Sequence, residues 1–86
     1  MIKLIVDGKT RIIKDKQISF HTEHDLYCKY KNHNICISEQ TDGSYYVTVT
    51  DESGCYAVMG GFGGQYCRDG IETIEDCLKM CIKNIV

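Results

Sequence analysis

The chain has 86 residues, of which 43% are hydrophobic and 26% charged, with six cysteines and no proline. This size suits a single small globular domain over residues 1–86 and excludes two independent cores. The formal net charge of −2 argues against a general nucleic-acid coat, and no apolar run approaches the roughly 18 residues of a membrane span. Because the amino terminus lacks the features of a signal peptide, we expect a cytoplasmic protein with reduced thiols.

The first predicted element is a hairpin. Asp7-Gly8 is a preferred two-residue turn, and the β-branched residues on both sides of it predict that strand 2–6 pairs with strand 9–13. A connector over residues 15–21 follows the hairpin.

A short helix is predicted over residues 22–31. Thr22 has the character of a helix N-cap, with an acidic residue three positions later, and Leu26, Tyr27 and Tyr30 would face inward. An irregular loop is the alternative, because the segment is largely polar.

The pattern becomes β from residue 35. A three-stranded antiparallel meander is predicted, with strands over 35–39, 45–50 and 55–59 and turns over 41–44 and 51–54. Val47 and Val49 share a face by the two-residue period of a strand, so this face should be the core. The glycine cluster 60–64 then breaks the strand, and residues 65–70 continue as a loop.

A carboxyl-terminal amphipathic helix completes the chain. Thr73 is its predicted N-cap, and the apolar residues that follow have helical spacing. These residues are Ile74, Cys77, Leu78, Cys81, Ile82 and Ile85. The predicted fold is therefore an α+β two-layer sandwich, in which the hairpin and the meander form an antiparallel sheet and the helix packs on one face.

Two segments resemble a known family. The runs 42–55 and 73–77 resemble the amino-terminal domain of HicB-type antitoxins, where a strand ends in an Asp-x-x-Gly-Cys turn and a Thr-x-Glu-Glu-Ala-like cap opens a helix. The likeness covers residues 35–85, and the chain departs from it at Ser53, where the family has proline, and in the inserted segment 60–69. It implies a small non-enzymatic domain that binds and blocks another protein, without operator binding. The order of elements is also similar to double-stranded RNA-binding domains, but the acidic residues at 75 and 76 would repel phosphate.

The charge is uneven along the chain. Residues 1–34 hold seven Lys/Arg and four Asp/Glu, whereas residues 35–86 hold three and eight. Such asymmetry is typical of solvated faces, and it also suits an acidic face that meets a basic partner protein. We therefore expect an inhibitor or antitoxin-like regulator, comparable to a phage anti-CRISPR protein, with no cofactor and no catalytic residue. The predicted contacts with the partner are Asp51, Glu52, Phe62, Gln65, Tyr66, Asp69, Glu72 and Glu75.

Three alternatives remain open at this stage. The basic hairpin could bind nucleic acid through Lys3, Lys9, Arg11, Lys14 and Lys16. Cys67, Cys77 and Cys81 could serve a zinc or redox protein, although the spacing of Cys77 and Cys81 also suits buried packing. A second cluster of His21, His24, His33, Cys28 and Cys36 could be reactive, but its polar setting is typical of a solvated surface.

The hairpin, apolar on both faces, could also pair with a second copy to form a homodimer.

Overall fold

The computed structural model describes residues 1–55 and 67–85, with residues 67 and 68 described by their backbone alone. In this part of the chain the strands are β1 Ile2–Val6, β2 Lys9–Ile13, β3 Ile18–His21, β4 Asp25–Tyr30, β5 His33–Glu39, β6 Tyr45–Asp51 and β7 Cys67–Ile71. The helix is α1 Ile74–Asn84, and a 3-10 turn Asp15–Gln17 precedes β3. The glycine cluster 60–64 and most of the strand predicted over 55–59 lie outside the described residues.

The amino-terminal hairpin is confirmed. β1 and β2 are antiparallel, with Ile2 opposite Ile13 and Val6 opposite Lys9. Asp7 and Gly8 both have positive φ, 51° and 76°, as a type I′ turn requires. The hairpin is a separate two-stranded sheet, so the prediction that it shares a sheet with the meander is wrong. It contributes Leu4, Val6 and Ile13 to the common core instead.

The predicted helix over 22–31 is wrong, because this segment forms the end of a turn and then β4. Thr22 does act as a cap, but its Oγ1 accepts hydrogen bonds from the backbone N–H groups of His24 and Asp25, both at 3.1 Å, within a tight turn. Leu26, Cys28 and Tyr30 are buried at alternate positions. A period of two buries a strand face, whereas a helix would leave one of these side chains in water.

The main sheet has five antiparallel strands in the order β3-β4-β5-β6-β7. Val47 and Val49 are fully buried, which confirms the predicted core face of β6. The prediction of a loop over 65–70 is wrong for its described part, since Cys67–Ile71 is β7. β7 is irregular: its register with β6 shifts between Tyr45 and Val47, and Gly70 has φ of 72°. Such irregularity hides the two-residue period in the sequence.

The carboxyl-terminal helix is confirmed. Thr73 Oγ1 accepts a hydrogen bond of 3.0 Å from the backbone N–H of Asp76, as an N-cap does. The predicted apolar stripe is buried at Cys77, Leu78, Cys81 and Ile82. This stripe, the hairpin and one face of the main sheet form a single core, so the second layer of the α+β sandwich consists of the helix and the hairpin. Within residues 1–55 and 67–85, no helix is long and apolar enough to cross a membrane.

Candidate functional site

The strand directions bring carboxylates together at one end of the molecule. β4 starts where β5 ends, with Asp25 opposite Ser38, and β6 starts beside that point, with Glu39 opposite Tyr45. β7 ends at the same level, because Ile71 is opposite Tyr45, and α1 begins three residues later. We call this the acidic end; its carboxylates are Glu23, Asp25, Glu39, Asp42, Glu72, Glu75 and Asp76. Asp25 is half-buried and the other six residues are exposed.

Some of these carboxylates also have local structural partners. Glu39 Oε2 is 3.0 Å from His24 Nδ1 and accepts a hydrogen bond of 3.2 Å from the Tyr45 hydroxyl. The hydrogen bond and charge of Glu39 raise the pKa of His24, and His24 in turn lowers the pKa of Glu39. Glu75 pairs with Lys79 at 3.4 Å across one helical turn. The acidic end is therefore partly neutralised by its own cations, while Glu23 and Glu72 form no ion pair with the described residues.

The predicted contact residues fall in two groups. Glu72 and Glu75 lie at the acidic end, and Asp69 lies on the adjoining strand β7. Asp51 and Glu52 lie at the other end of β6, and the six residue steps from Tyr45 to Asp51 separate the two groups by roughly 20 Å. Phe62, Gln65 and Tyr66 lie outside the described residues. The described carboxylates thus do not form one continuous face.

Asp51 has a structural task in its turn. Its Oδ1 accepts hydrogen bonds from the hydroxyl of Ser53 at 2.6 Å and from the backbone N–H groups of Ser53 and Cys55. These hydrogen bonds, with that of the Ser53 hydroxyl the largest cause, lower the pKa of Asp51. The Asp-x-x-Gly-Cys signature in this sequence is therefore explained by the turn itself, with Gly54 at φ of 88°.

Cations collect at the opposite end from the acidic end, which we call the basic end. The turn of the hairpin, the turn between β4 and β5 and the last turn of α1 enclose a cleft of about 240 Å³ there. Its charged lining residues are Lys9, Arg11, Lys31, Lys83 and Asp7. Lys83 Nζ is 3.9 Å from Asp7 Oδ1, and cations at the carboxyl end of a helix also oppose its negative dipole end.

The cations of the β1–β2 hairpin, which are the alternative nucleic-acid-binding residues, do not lie on one surface. Lys9 and Arg11 line the cleft at the basic end. Lys3 lies beside Glu75 and the start of α1, and Lys16 lies at the edge of the main sheet. A strand turns alternate side chains to opposite faces, and this separates Lys3 from the cations of β2.

The face of the main sheet that points away from α1 carries exposed aromatic side chains. We call it the outer face; the described helix and hairpin both pack on the other side. Phe20 and Tyr27 are neighbours here, with ring centroids 5.4 Å apart and planes inclined by 38°. Tyr46 also lies on this face, and these three side chains are 37% to 47% exposed. Exposed aromatic groups on a flat sheet are typical of a binding surface.

A groove of about 860 Å³ crosses the outer face near the basic end, and we call it the outer groove. Tyr27, Asn34 and Cys36 line it from neighbouring strands, and Lys16, Lys29 and Lys31 add three cations. Glu52 is the single carboxylate among its described lining residues. The groove is therefore cationic even though the whole chain is not.

The cysteines of the helix are buried in the core, as predicted. Cys77 and Cys81 are fully buried, and Cys28 faces them from β4. Burial raises the pKa of Cys28 and of Cys77 to about 12 and raises the pKa of Cys81 as well. The five described thiols, Cys28, Cys36, Cys55, Cys77 and Cys81, are free. Residues 1–55 and 67–85 contain no group of three His, Cys, Asp or Glu side chains arranged to hold a metal ion.

The His/Cys residues considered as a second reactive cluster are dispersed in the fold. His24 contacts Glu39 at the acidic end, and His33 Nδ1 lies 2.8 Å from the backbone carbonyl of Lys31 at the other end. Cys28 is in the core, whereas Cys36 lies on the outer face, where burial raises the pKa of its thiol. The described residues thus show no thiol with a hydrogen-bonded imidazole, which a nucleophilic pair would need.

Comparisons with known proteins give no match: no protein-family model, no curated protein and no solved structure is similar to the chain.

Sequence reasoning did not find the outer groove. Lys29, Lys31, Asn32 and Asn34 line it because β4 and β5 form a hairpin, whereas the sequence pattern predicts a helix over residues 22–31. Two signals could have revealed the hairpin. Leu26, Cys28 and Tyr30 alternate with polar or amphipathic residues, and Lys31-Asn32 adopts positive φ values of 44° and 64° in a two-residue turn, for which asparagine is suited.

Proposed function

We propose that this protein is a non-enzymatic protein-binding module, an inhibitor or antitoxin-like regulator that meets a basic surface of its partner with its acidic end. The observation that carries this proposal is the convergence of seven carboxylates from six separate elements or turns on one end of a small domain.

The arrangement suits recognition by charge. Six of the seven residues are exposed, so their field reaches solvent, and the described ion pairs of this end, with His24 and Lys79, involve only Glu39 and Glu75. A concentrated field of one sign speeds encounter with a surface of opposite sign and fixes the orientation of the complex. The partner class that follows is a protein with a basic groove, such as a nuclease or a defence complex that holds nucleic acid.

The reading as an inhibitor also draws on the state of the reactive groups. The described thiols of the core are protonated and enclosed, and two of the histidines, His24 and His33, have hydrogen-bonding partners within the fold. A surface that acts by contact is consistent with these features, since binding needs no activated nucleophile.

The experiment compares two variants with the same change in net charge. Glu23→Gln, Glu72→Gln and Glu75→Gln neutralise the acidic end. Asp7→Asn, Asp15→Asn and Glu52→Gln neutralise three exposed carboxylates elsewhere. Each tagged protein is incubated with lysate of its native host, and captured proteins are quantified by mass spectrometry.

We expect a partner that the wild type and the control capture and that the acidic-end variant loses. Capture by the wild type should also fall as salt is added, because salt screens exposed charges. Equal capture by all three proteins would refute the role of the acidic end, and equal loss in both variants would show an effect of net charge alone.

A further inference from the structure

The positive charge of the outer groove is not neutralised by ion pairs with the described residues. Lys16 and Lys29 form no ion pair with the described residues, and Lys31 Nζ lies 5.7 Å from the ring centroid of Tyr30, which leaves its charge without an anion. Three lysines and one carboxylate, Glu52, give the lining a net positive charge. A ligand that complements it is anionic.

An aromatic side chain, that of Tyr27, lines the groove. Tyr27 is 37% exposed, with Phe20 beside it and its hydroxyl 3.5 Å from Ser38 Oγ. The ring of Phe20 packs against that of Tyr27 with the two planes inclined by 38°, and this contact supports the Tyr27 ring. A planar, unstacked ring of a ligand can lie on the face of such a ring.

Polar groups with hydrogen-bonding capacity line the groove together with Tyr27. Gln17, Ser19, Asn32 and Asn34 line the same groove. Ser19 Oγ donates to the backbone carbonyl of Tyr27, and Asn34 Nδ2 donates to the backbone carbonyl of Asp51 at 3.4 Å, so both side chains keep acceptor capacity. Amide side chains both donate and accept, as the edges of nucleobases do.

We propose that the outer groove binds single-stranded nucleic acid, with phosphates on Lys16, Lys29 and Lys31 and a base stacked on Tyr27. Lysines along a groove with an aromatic platform on an open sheet are the features by which proteins bind single strands. A duplex is excluded as the preferred ligand, because its bases are stacked on one another and cannot lie on the Tyr27 ring. This site is separate from the acidic end, so the inference goes beyond the proposed function.

The test uses fluorescein-labelled oligothymidylate and oligouridylate, each about ten nucleotides long, a length within the range that one small domain covers. Fluorescence anisotropy is measured at low ionic strength and then at increasing salt. Three phosphate contacts predict a slope of log affinity against log salt of roughly −2, since each contact on a single strand contributes about −0.7. A duplex of the same length should bind at least several-fold more weakly.

The variants separate the groove from general charge. Lys16→Gln, Lys29→Gln and Lys31→Gln in one protein should abolish most of the affinity and flatten the salt slope. Lys3→Gln, Lys14→Gln and Lys79→Gln make the same change in net charge outside the groove and should leave binding close to that of the wild type. Tyr27→Leu should weaken binding by about 5- to 150-fold, the range measured for loss of one stacked base.

All variants are first compared with the wild type by circular dichroism and thermal unfolding. The three groove lysines are exposed, so their variant should fold even if the Tyr27 variant does not. The proposal is wrong if the wild type binds no oligonucleotide at low ionic strength, if the control lysines matter as much as the groove lysines, or if duplex binds equally well. Loss of protein capture in the groove variant, without oligonucleotide binding by the wild type, would assign the groove to a protein partner instead.

Discussion

Thr22 and Thr73 make the same hydrogen bond in two different elements. In each case the threonine Oγ1 accepts from the backbone N–H three residues later, Asp25 at 3.1 Å and Asp76 at 3.0 Å. A strand follows Thr22 and a helix follows Thr73. The threonine cap satisfies a backbone donor at the start of either element, so it marks a boundary without choosing what comes next. The spacing of the apolar side chains after the cap makes that choice.

The His24–Glu39 pair predicts a stability contribution confined to a window of pH. The raised pKa of His24 makes its contribution complete below the ordinary value of 6.5 and lost as pH rises through the folded-state pKa. The lowered pKa of Glu39 makes its contribution present above the ordinary value of 4.5 and lost as pH falls through the folded-state pKa. The pair therefore stabilises the fold fully between about pH 4.5 and pH 6.5, and this stabilisation decreases at lower and at higher pH.

We expect Glu39→Gln to lower the pKa of His24, because Glu39 is the largest cause of its increase. Proton NMR titration of the His24 imidazole measures this directly. Glu52→Gln, which removes a carboxylate from the far end of β6, is the control and should leave the His24 titration unchanged. An unchanged titration in Glu39→Gln would mean that the pair does not form in solution.

Thiol burial predicts two classes of cysteine reactivity. Cys55 is exposed, whereas Cys28, Cys77 and Cys81 are buried, and burial raises the pKa of all three thiols. A disulfide reagent attacks through the thiolate, so Cys55 should react first in the native protein and the three buried thiols only after unfolding in denaturant. Peptide mapping by mass spectrometry assigns each modified residue. Early reaction at Cys77 or Cys81 would contradict their role as core side chains.

At the scale of elements, a strand or helix could be predicted where its apolar side chains are regularly spaced. The hairpin β1–β2 and helix α1 were predicted because a turn dipeptide or a cap stands next to a clear apolar period. The strand β4 is not predicted because the Thr22 cap indicates the start of a helix, although Leu26, Cys28 and Tyr30 have the strand period. The strand β7 was missed because it is short, contains Gly70 and shifts register against β6.

Because α1 packs on the sheet, shortening a buried side chain near the middle of this helix should strongly lower the free energy of unfolding. Leu78 is 1% exposed and belongs to the common core. Leu78→Ala should lower the free energy of unfolding by about 2 to 5 kcal/mol, through lost apolar burial and the remaining cavity. Urea denaturation measures the difference. Lys83→Ala, on the exposed side of the same helix, should change it by less than about 0.5 kcal/mol, and equal losses would show that α1 does not pack on the sheet as described.

At the scale of the whole molecule, the fold rearranges the uneven distribution of charge along the sequence into an acidic end and a basic end. Residues 1–34 carry most cations and residues 35–86 most carboxylates, yet both ends of the folded domain draw on both halves. Glu23 and Asp25 join Glu72 and Glu75, and Lys83 joins Lys9. A net charge of −2 therefore coexists with a cationic outer groove.

The exposed face of the hairpin predicts self-association. Ile5 is 65% exposed and Ile12 is 43% exposed on the side of the hairpin away from the core, and exposed apolar residues on a two-stranded sheet that pairs with no other described strand favour pairing with another copy. We expect sedimentation equilibrium to give twice the chain mass of 9.8 kDa at high protein concentration. Ile5→Lys should yield the monomer. Phe20→Ser, which removes an exposed apolar group on the main sheet, should remain dimeric; a monomeric wild type would rule out this contact.

The sequence by itself determined the class of fold, the hairpin turn, the buried valine face of β6 and the capped helix, because each depends on neighbours within a few residues. The tertiary structure alone decided which charges meet. Lys16, Lys29 and Lys31 share a groove, and Glu23, Glu72 and Glu75 share an end, only through the register and order of the strands. That order depends on burying one common core among the sheet, the hairpin and α1, a condition on the whole chain that no local pattern expresses.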